Sequence, residues 1–106
     1  MTDQQMIPIT QEAFNPYLGS VFSVRNIDVP FELKLVEIED TAKGRPWPTS
    51  LRRPFTMIFA GPPEAILIEG LRVIAAPDGA FCELYLIPIM THDAATVGQQ
   101  YQATVN

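Results

Sequence analysis

The chain has 106 residues, of which 47% are hydrophobic and 18% charged, with ten prolines, a single cysteine and a net charge of −5. That length matches one domain, 1–106, and the apolar share excludes a disordered chain. Prolines at this density exclude a bundle of long helices, the lone Cys82 excludes an internal disulfide framework, and the acidic balance disfavours a nucleic-acid partner, which needs clustered Lys and Arg.

The start, Met1-Thr2-Asp3-Gln4-Gln5, lacks the basic and apolar regions of a secretory leader, and no apolar run approaches the roughly 20 residues that cross a bilayer. A cytoplasmic protein with no membrane partner is expected. Thr10 has the chemistry of a helix N-cap, so Thr10-Gln11-Glu12-Ala13-Phe14 predicts a turn or two of helix that Asn15-Pro16 ends. Ser20 to Arg25 alternates, with Val21 opposed to Phe22 and Val24, and predicts a first strand.

Phe31 to Asp40 gives the clearest strand, with Phe31, Leu33 and Leu35 on one face and Glu32 and Lys34 on the other. The parity then flips: Val36 and Ile38 become the apolar positions and Glu37 and Glu39 the polar ones, as a β-bulge requires. Thr41 to Arg53 is a loop that carries Lys43, Arg45, Arg52 and Arg53, four of the seven basic residues, around Trp47. Pro54 to Ala60 returns to strand, with Phe55, Met57 and Phe59 on one face and Thr56, Ile58 and Ala60 on the other; so little polarity predicts a central strand covered on both faces. Gly61-Pro62-Pro63 ends it.

Ile66-Leu67-Ile68 is too short to classify by period. Gly70 to Ala76 and Ala80 to Ile89 flank Pro77-Asp78-Gly79 and predict a hairpin, because proline presets φ and glycine takes the left-handed position. In its second strand Cys82, Leu84 and Leu86 face the core. Phe81, Glu83, Tyr85 and Ile87 share an outer face too apolar to lie wholly in water. Thr91 to Gln99 reads as a loop, and Tyr101, Ala103 and Val105 form the inward row of a last strand that must be paired to be ordered. The sum is an all-β domain: an antiparallel sandwich or partly closed barrel of about six strands with a short N-terminal helix.

Chemistry is sought in four places. His92-Asp93 lies in a loop, and one His and one Cys do not make a metal site. Cys82, between Phe81 and Leu84, reads as an inert core thiol rather than a nucleophile. Glu37, Glu39 and Asp40 gather on one strand end, where solvation of an edge is the simpler reading than an acid/base pair. Gly61-Pro62-Pro63 lacks the backbone donors of a phosphate cradle, and no cofactor is expected. The loop from Lys43 to Arg53 remains: Arg45, Trp47, Arg52 and Arg53 are the residue types that dominate protein contact hot spots, set against the plainer role of a solvated loop whose Trp covers the end of the core.

The blocks Phe14-Asn15-Pro16-Tyr17-Leu18-Gly19 with Phe22, Arg53-Pro54-Phe55 through Phe59-Ala60-Gly61-Pro62, Leu84-Tyr85-Leu86-Ile87-Pro88-Ile89, and Tyr101-Gln102-Ala103-Thr104-Val105-Asn106 span nearly the whole chain. In their order and spacing they resemble a family of small single-domain bacterial proteins classed as a domain of unknown function. That family usually closes in Phe-Asn, where Val105 precedes Asn106 here. The resemblance implies no assigned activity; it implies similarity to small accessory components encoded near phage-tail-like collar proteins. The expectation is a non-enzymatic structural or adaptor domain, in a phage-tail-like or surface assembly, that binds protein partners or itself. The alternative is a small-ligand barrel with a pocket lined by Met57, Phe59 and Tyr85.

Overall fold

The computed structural model describes residues 5–105. Among these, α1 (Gln11–Phe14) runs into a 3-10 turn (Asn15–Tyr17), followed by β1 (Val21–Val24), β2 (Glu32–Asp40), β3 (Phe55–Gly61), β4 (Gly70–Ala75), β5 (Phe81–Pro88), α2 (Ala94–Val97) and β6 (Gln99–Val105). The strands close an antiparallel barrel in the order β1-β2-β3-β6-β5-β4. Closure answers the question that period-2 patterning left open, because register decides between sandwich and barrel.

The ladders are unequal. β2 pairs β3 from Lys34↔Ala60 to Asp40↔Phe55, β3 pairs β6 from Phe55↔Val105 to Gly61↔Gln99, and β4 pairs β5 from Gly70↔Leu86 to Ala75↔Phe81. By contrast β1 meets β4 only at Ser23↔Ala75 and Val24↔Ile74, and β5 meets β6 only at Ile87↔Gln102 and Pro88↔Tyr101. Two short seams thus join a long-laddered meander to a hairpin.

Alternation works as the sequence predicts. Phe22, Leu33, Leu35, Phe55, Met57, Phe59, Ile74, Cys82, Leu86 and Tyr101 are sealed inside, and Phe22 meets Phe59 edge-on at 5.8 Å. The bulge also falls where expected: the register shifts between Leu35 and Glu37. Its extra residue, Val36, stays exposed instead of turning inward, and only Ile38 returns toward the core. A bulged residue has no partner to hold it against the pleat, which is why the parity flip skips it.

The expectation that β3 is covered on both faces is corrected. Its burial pattern alternates buried and half-buried, since a closed barrel has one interior and the outward row of Thr56, Ile58 and Ala60 remains partly in solvent. Thr10 caps α1 by accepting from the Ala13 amide at 3.2 Å, and Phe14 from that helix packs against Phe55, plugging one barrel end. Gly79 takes φ +90 in the β4–β5 turn, as the Pro-Asp-Gly sequence requires. The expected loop before β6 contains the short α2, which Asp93 enters in the left-handed conformation.

Two contacts had no sequence signal. Gln5–Ile7 adds alongside β5, with the Ile7 amide donating to the Phe81 carbonyl at 2.7 Å and the Phe81 amide to the Gln5 carbonyl at 2.9 Å. That contact pairs the backbone of β5 at its Phe81 end. Gly98, at φ +87, lies so close to β3 that any added Cβ would strike the Gly61 carbonyl oxygen. The expectations for Met1 to Gln4 and for Asn106 lie outside the described residues. Among the described residues, no helix is long and apolar enough to cross a membrane.

Candidate interaction surface

The β2–β3 loop brings Arg45, Trp47, Arg52 and Arg53 to the α1 end of the barrel, but not into one cluster. Arg53 Nε donates to both Asp40 oxygens at 3.0 Å and its Nη2 stands 2.8 Å from Asp40 Oδ2, an ion-pair clamp across the base of the loop, and Arg53 Nη2 also reaches the Ala42 carbonyl at 3.4 Å. The Asp40 carboxylate also accepts from the Ala42 amide. Trp47, 36% exposed, donates from Nε1 to the Arg52 carbonyl at 3.1 Å, so the ring folds back on its own loop. Arg45 and Arg52 stand in solvent. The four residues therefore divide: Arg53 and Trp47 shape the loop, and Arg45 and Arg52 are its free charge.

The groups considered for chemistry are occupied or apart. The hydrogen bond from Arg53 holds the Asp40 carboxyl below the usual carboxylate range against a smaller opposing effect of burial. Glu37 and Glu39 are exposed on the outer face. Burial pushes the Cys82 thiol up to about 12, too high for a nucleophile at neutral pH. His92 and Asp93 are exposed, and among the described residues no three of His, Cys, Asp and Glu gather as a metal site would need. A groove of about 460 Å³ lies beside α1, where Tyr17 donates to Asp78 at 2.9 Å between Pro16 and Pro77. Met57 and Phe59 are sealed in the core while Tyr85 points outward, so these three do not line one pocket.

The opposite barrel end is built by topology. β3 and β4 are not neighbours in the sheet, so the connection 62–69 has to cross the barrel mouth, and there Leu67 is buried as a stopper. Two side chains from the inward rows hold it. Tyr101 Oη accepts the Leu67 amide at 2.7 Å, and Arg72 Nη2 donates to the Ile68 carbonyl at 2.7 Å. Burial raises the Tyr101 hydroxyl above its ordinary pKa, against smaller lowering effects of the Leu67 amide and of nearby Arg72.

Ile68, next to the stopper in sequence, is 76% exposed, and the barrel wall carries apolar side chains at Leu71 (62%), its cross-strand neighbour Tyr85 (47%) and then Ile87 (39%). The Tyr85 hydroxyl donates to Glu69 at 2.7 Å, tying the connection to the wall. Met90, just past the end of β5, is 91% exposed.

The model of a family described as a domain of unknown function, DUF6916, matches residues 9–105. The chain belongs to the DUF6916 family. The match contains each block on which the family resemblance was drawn, up to Val105. No curated protein and no solved structure matches the chain.

In this DUF6916 domain the sequence already marked the outer β5 face as too apolar for water. The structure divides that face between Phe81, flanked by the Gln5–Ile7 segment, and Tyr85 with Ile87, which remain open. Leu71 escaped notice because its partner across the hairpin is fixed by register. Arg72 escaped because β4 reads Leu-Arg-Val-Ile, a pattern in which either row passes as the inner one.

Proposed function

We propose that this DUF6916 domain is a non-enzymatic docking module that binds a protein partner through the outer wall of its β4–β5 hairpin, as a structural or adaptor part of a larger assembly. The observation that carries the reading is the open outer row of Leu71, its register partner Tyr85 and Ile87, with Ile68 and Met90 also exposed in the segments that adjoin β4 and β5. Apolar surface in one contiguous stretch costs free energy while it faces water, and covering it is what protein interfaces do. The non-enzymatic part is supported by the occupations of the candidate groups: Asp40 is clamped by Arg53, Cys82 is sealed, and Glu37 and Glu39 stand in solvent. An internal ligand pocket has less behind it, because Met57 and Phe59 are fully covered within the core.

The test is site-specific photo-crosslinking in the native cell. A benzophenone side chain at Leu71 or at Ile87 should give one discrete protein adduct, which a second substitution, Tyr85→Asp, abolishes while the melting temperature stays within a few degrees. The same probe at Glu32, on the exposed row of β2, should give none. Trp47→Ala with Arg45→Ala forms a separate arm: loss of the adduct without loss of thermal stability would extend the contact to the loop. No adduct at Leu71 and Ile87, or equal adducts at all positions, would refute the docking reading.

A further inference from the structure

The groove beside α1 is a surface feature that the docking wall does not use. It lies between the 3-10 turn and the β4–β5 turn, holds about 460 Å³, and is lined by Ala13, Pro16, Tyr17, Ser20, Pro77 and Asp78. Its walls are fixed before any ligand arrives. Pro16 and Pro77 have locked φ, and the Tyr17 ring packs on Phe22 at 5.8 Å. The Tyr17 hydroxyl donates to Asp78 Oδ2 at 2.9 Å and the Ala80 amide to Asp78 Oδ1 at 2.9 Å. These bonds, the Ala80 amide first, hold the Asp78 carboxyl below the usual carboxylate range, against an opposing effect of burial. Among the described residues the ion pair found is Arg53 with Asp40, and no lining residue is basic, so the charge of Asp78 stands unanswered. What the groove offers a ligand is acceptors. Asp78 only accepts, the Tyr17 hydroxyl has spent its proton on Asp78, and the Ser20 hydroxyl can accept as well. The Ser20 amide is spent on the Tyr17 carbonyl, and the two prolines have no amide proton.

We propose that this groove receives an arginine side chain of a protein partner, with the guanidinium on Asp78 and Tyr17 and the stem along Pro16 and Pro77. The site is separate from the β4–β5 wall, and neither requires the other. A guanidinium carries donors and no acceptor, which matches the groove and excludes carboxylates and phosphates, for which the lining has neither cation nor free donor. The chain's net charge of −5 favours a basic partner in the same sense. Arginine fits better than lysine because its planar, weakly hydrated head stacks on rings, and Tyr17 and the two prolines supply such surfaces, whereas an ammonium holds its water. A quaternary ammonium calls for a cage of aromatic rings, and Tyr17 is the one aromatic lining residue. The arginine comes within a chain rather than as the free amino acid. Nothing in the lining answers an α-carboxylate, an amide-linked residue brings none, and the exposed Pro16, Pro77 and Asp78 leave room for backbone on either side.

The backbone amides of Gly79 and Ala80 and the Tyr17 ring protons report the site in NMR titrations of the full chain. Four probes are used: acetyl-Ala-Arg-Ala-amide, its citrulline and lysine counterparts, and free arginine. Citrulline keeps the shape of arginine and removes the charge. The arginine peptide should shift these resonances saturably, with the citrulline peptide roughly tenfold weaker, the loss expected for one charge-assisted hydrogen bond. The lysine peptide should fall between them, and free arginine should bind more weakly than the arginine peptide. Asp78→Asn keeps an acceptor for the Ala80 amide and should bring the arginine and citrulline peptides together. Tyr17→Phe keeps the ring on Phe22 and should weaken the arginine peptide a few-fold. Equal binding of the arginine and citrulline peptides, lysine as tight as arginine, tighter binding of free arginine, or shifts of the same size at Glu37 and Glu39 would each overturn the proposal. Tyr85→Asp, which disables the wall, should leave the arginine preference intact, and its loss there would overturn the separate site. Absence of a crosslinked adduct beside an intact arginine preference would end the docking wall and leave the groove standing.

Discussion

Replacing Tyr101 by Phe tests whether the barrel mouth is held shut as the geometry indicates. The ring is fully buried and meets Phe31 edge-on at 6.4 Å, so phenylalanine keeps the packing and removes one oxygen. The Leu67 amide, which donates to that oxygen at 2.7 Å, is then left without an acceptor in a buried site. An orphaned buried donor costs about 1–3 kcal/mol, and relief from burying a hydroxyl offsets part of it, for a net loss of about 1–2 kcal/mol. For a domain of this size each kcal/mol moves the midpoint by about 4–8 °C, so calorimetry should register a fall of about 4–16 °C. Amide exchange gives the local readout, with Leu67 protection reduced by about 5–30-fold. Tyr85→Phe is the control, since that hydroxyl bonds Glu69 at the surface and its loss should stay within about 0.5 kcal/mol. An unchanged midpoint together with unchanged Leu67 protection would refute the stopper.

Asp40 carries a prediction with a defined sign. Its folded pKa is depressed, mainly by the hydrogen bond from Arg53, so the clamp stabilises the fold above the ordinary carboxylate value of about 4 and is lost as pH falls through the depressed one. Arg53→Leu should raise the Asp40 midpoint in a carbon-13 titration of the side-chain carboxyl; an unmoved midpoint would show that the guanidinium does not set it. Cys82, pushed up to about 12 by burial, should not react with a disulfide reagent at pH 8 in the native state and should react at once in guanidinium chloride. Rapid native labelling would mean that the core opens around β5.

How much of this was legible in the sequence follows from where each signal lives. Period-2 alternation is a property of one strand, so Phe22, Leu33, Phe59, Leu84 and Tyr101 could be placed inside before any pairing was known. The bulge after Leu35, the Thr10 cap and the Pro77-Asp78-Gly79 turn are equally local. Closure is not: it needs β1 to meet β4 across some fifty residues, and no pattern in either strand encodes that meeting. The same holds for the candidate surface. The loop from Arg45 to Arg53 drew attention by composition, yet two of its four residues serve the loop itself, through the Asp40 clamp and the bond from Trp47 to Arg52. Leu71 and Arg72 became visible only when the hairpin register set Leu71 beside Tyr85 and turned Arg72 toward the mouth.

The unequal ladders have a mechanical consequence. Seven register pairs bind β3 to β6 and six bind β4 to β5, while two hold each side of the hairpin to the remainder. The molecule is therefore two stiff staves riveted at a pair of narrow joints, and strain applied to it concentrates at Ser23–Val24 and Ile87–Pro88. A load on the hairpin wall would reach those joints first, so whatever seizes this wall grips the half of the vessel that can most easily swing away from the other.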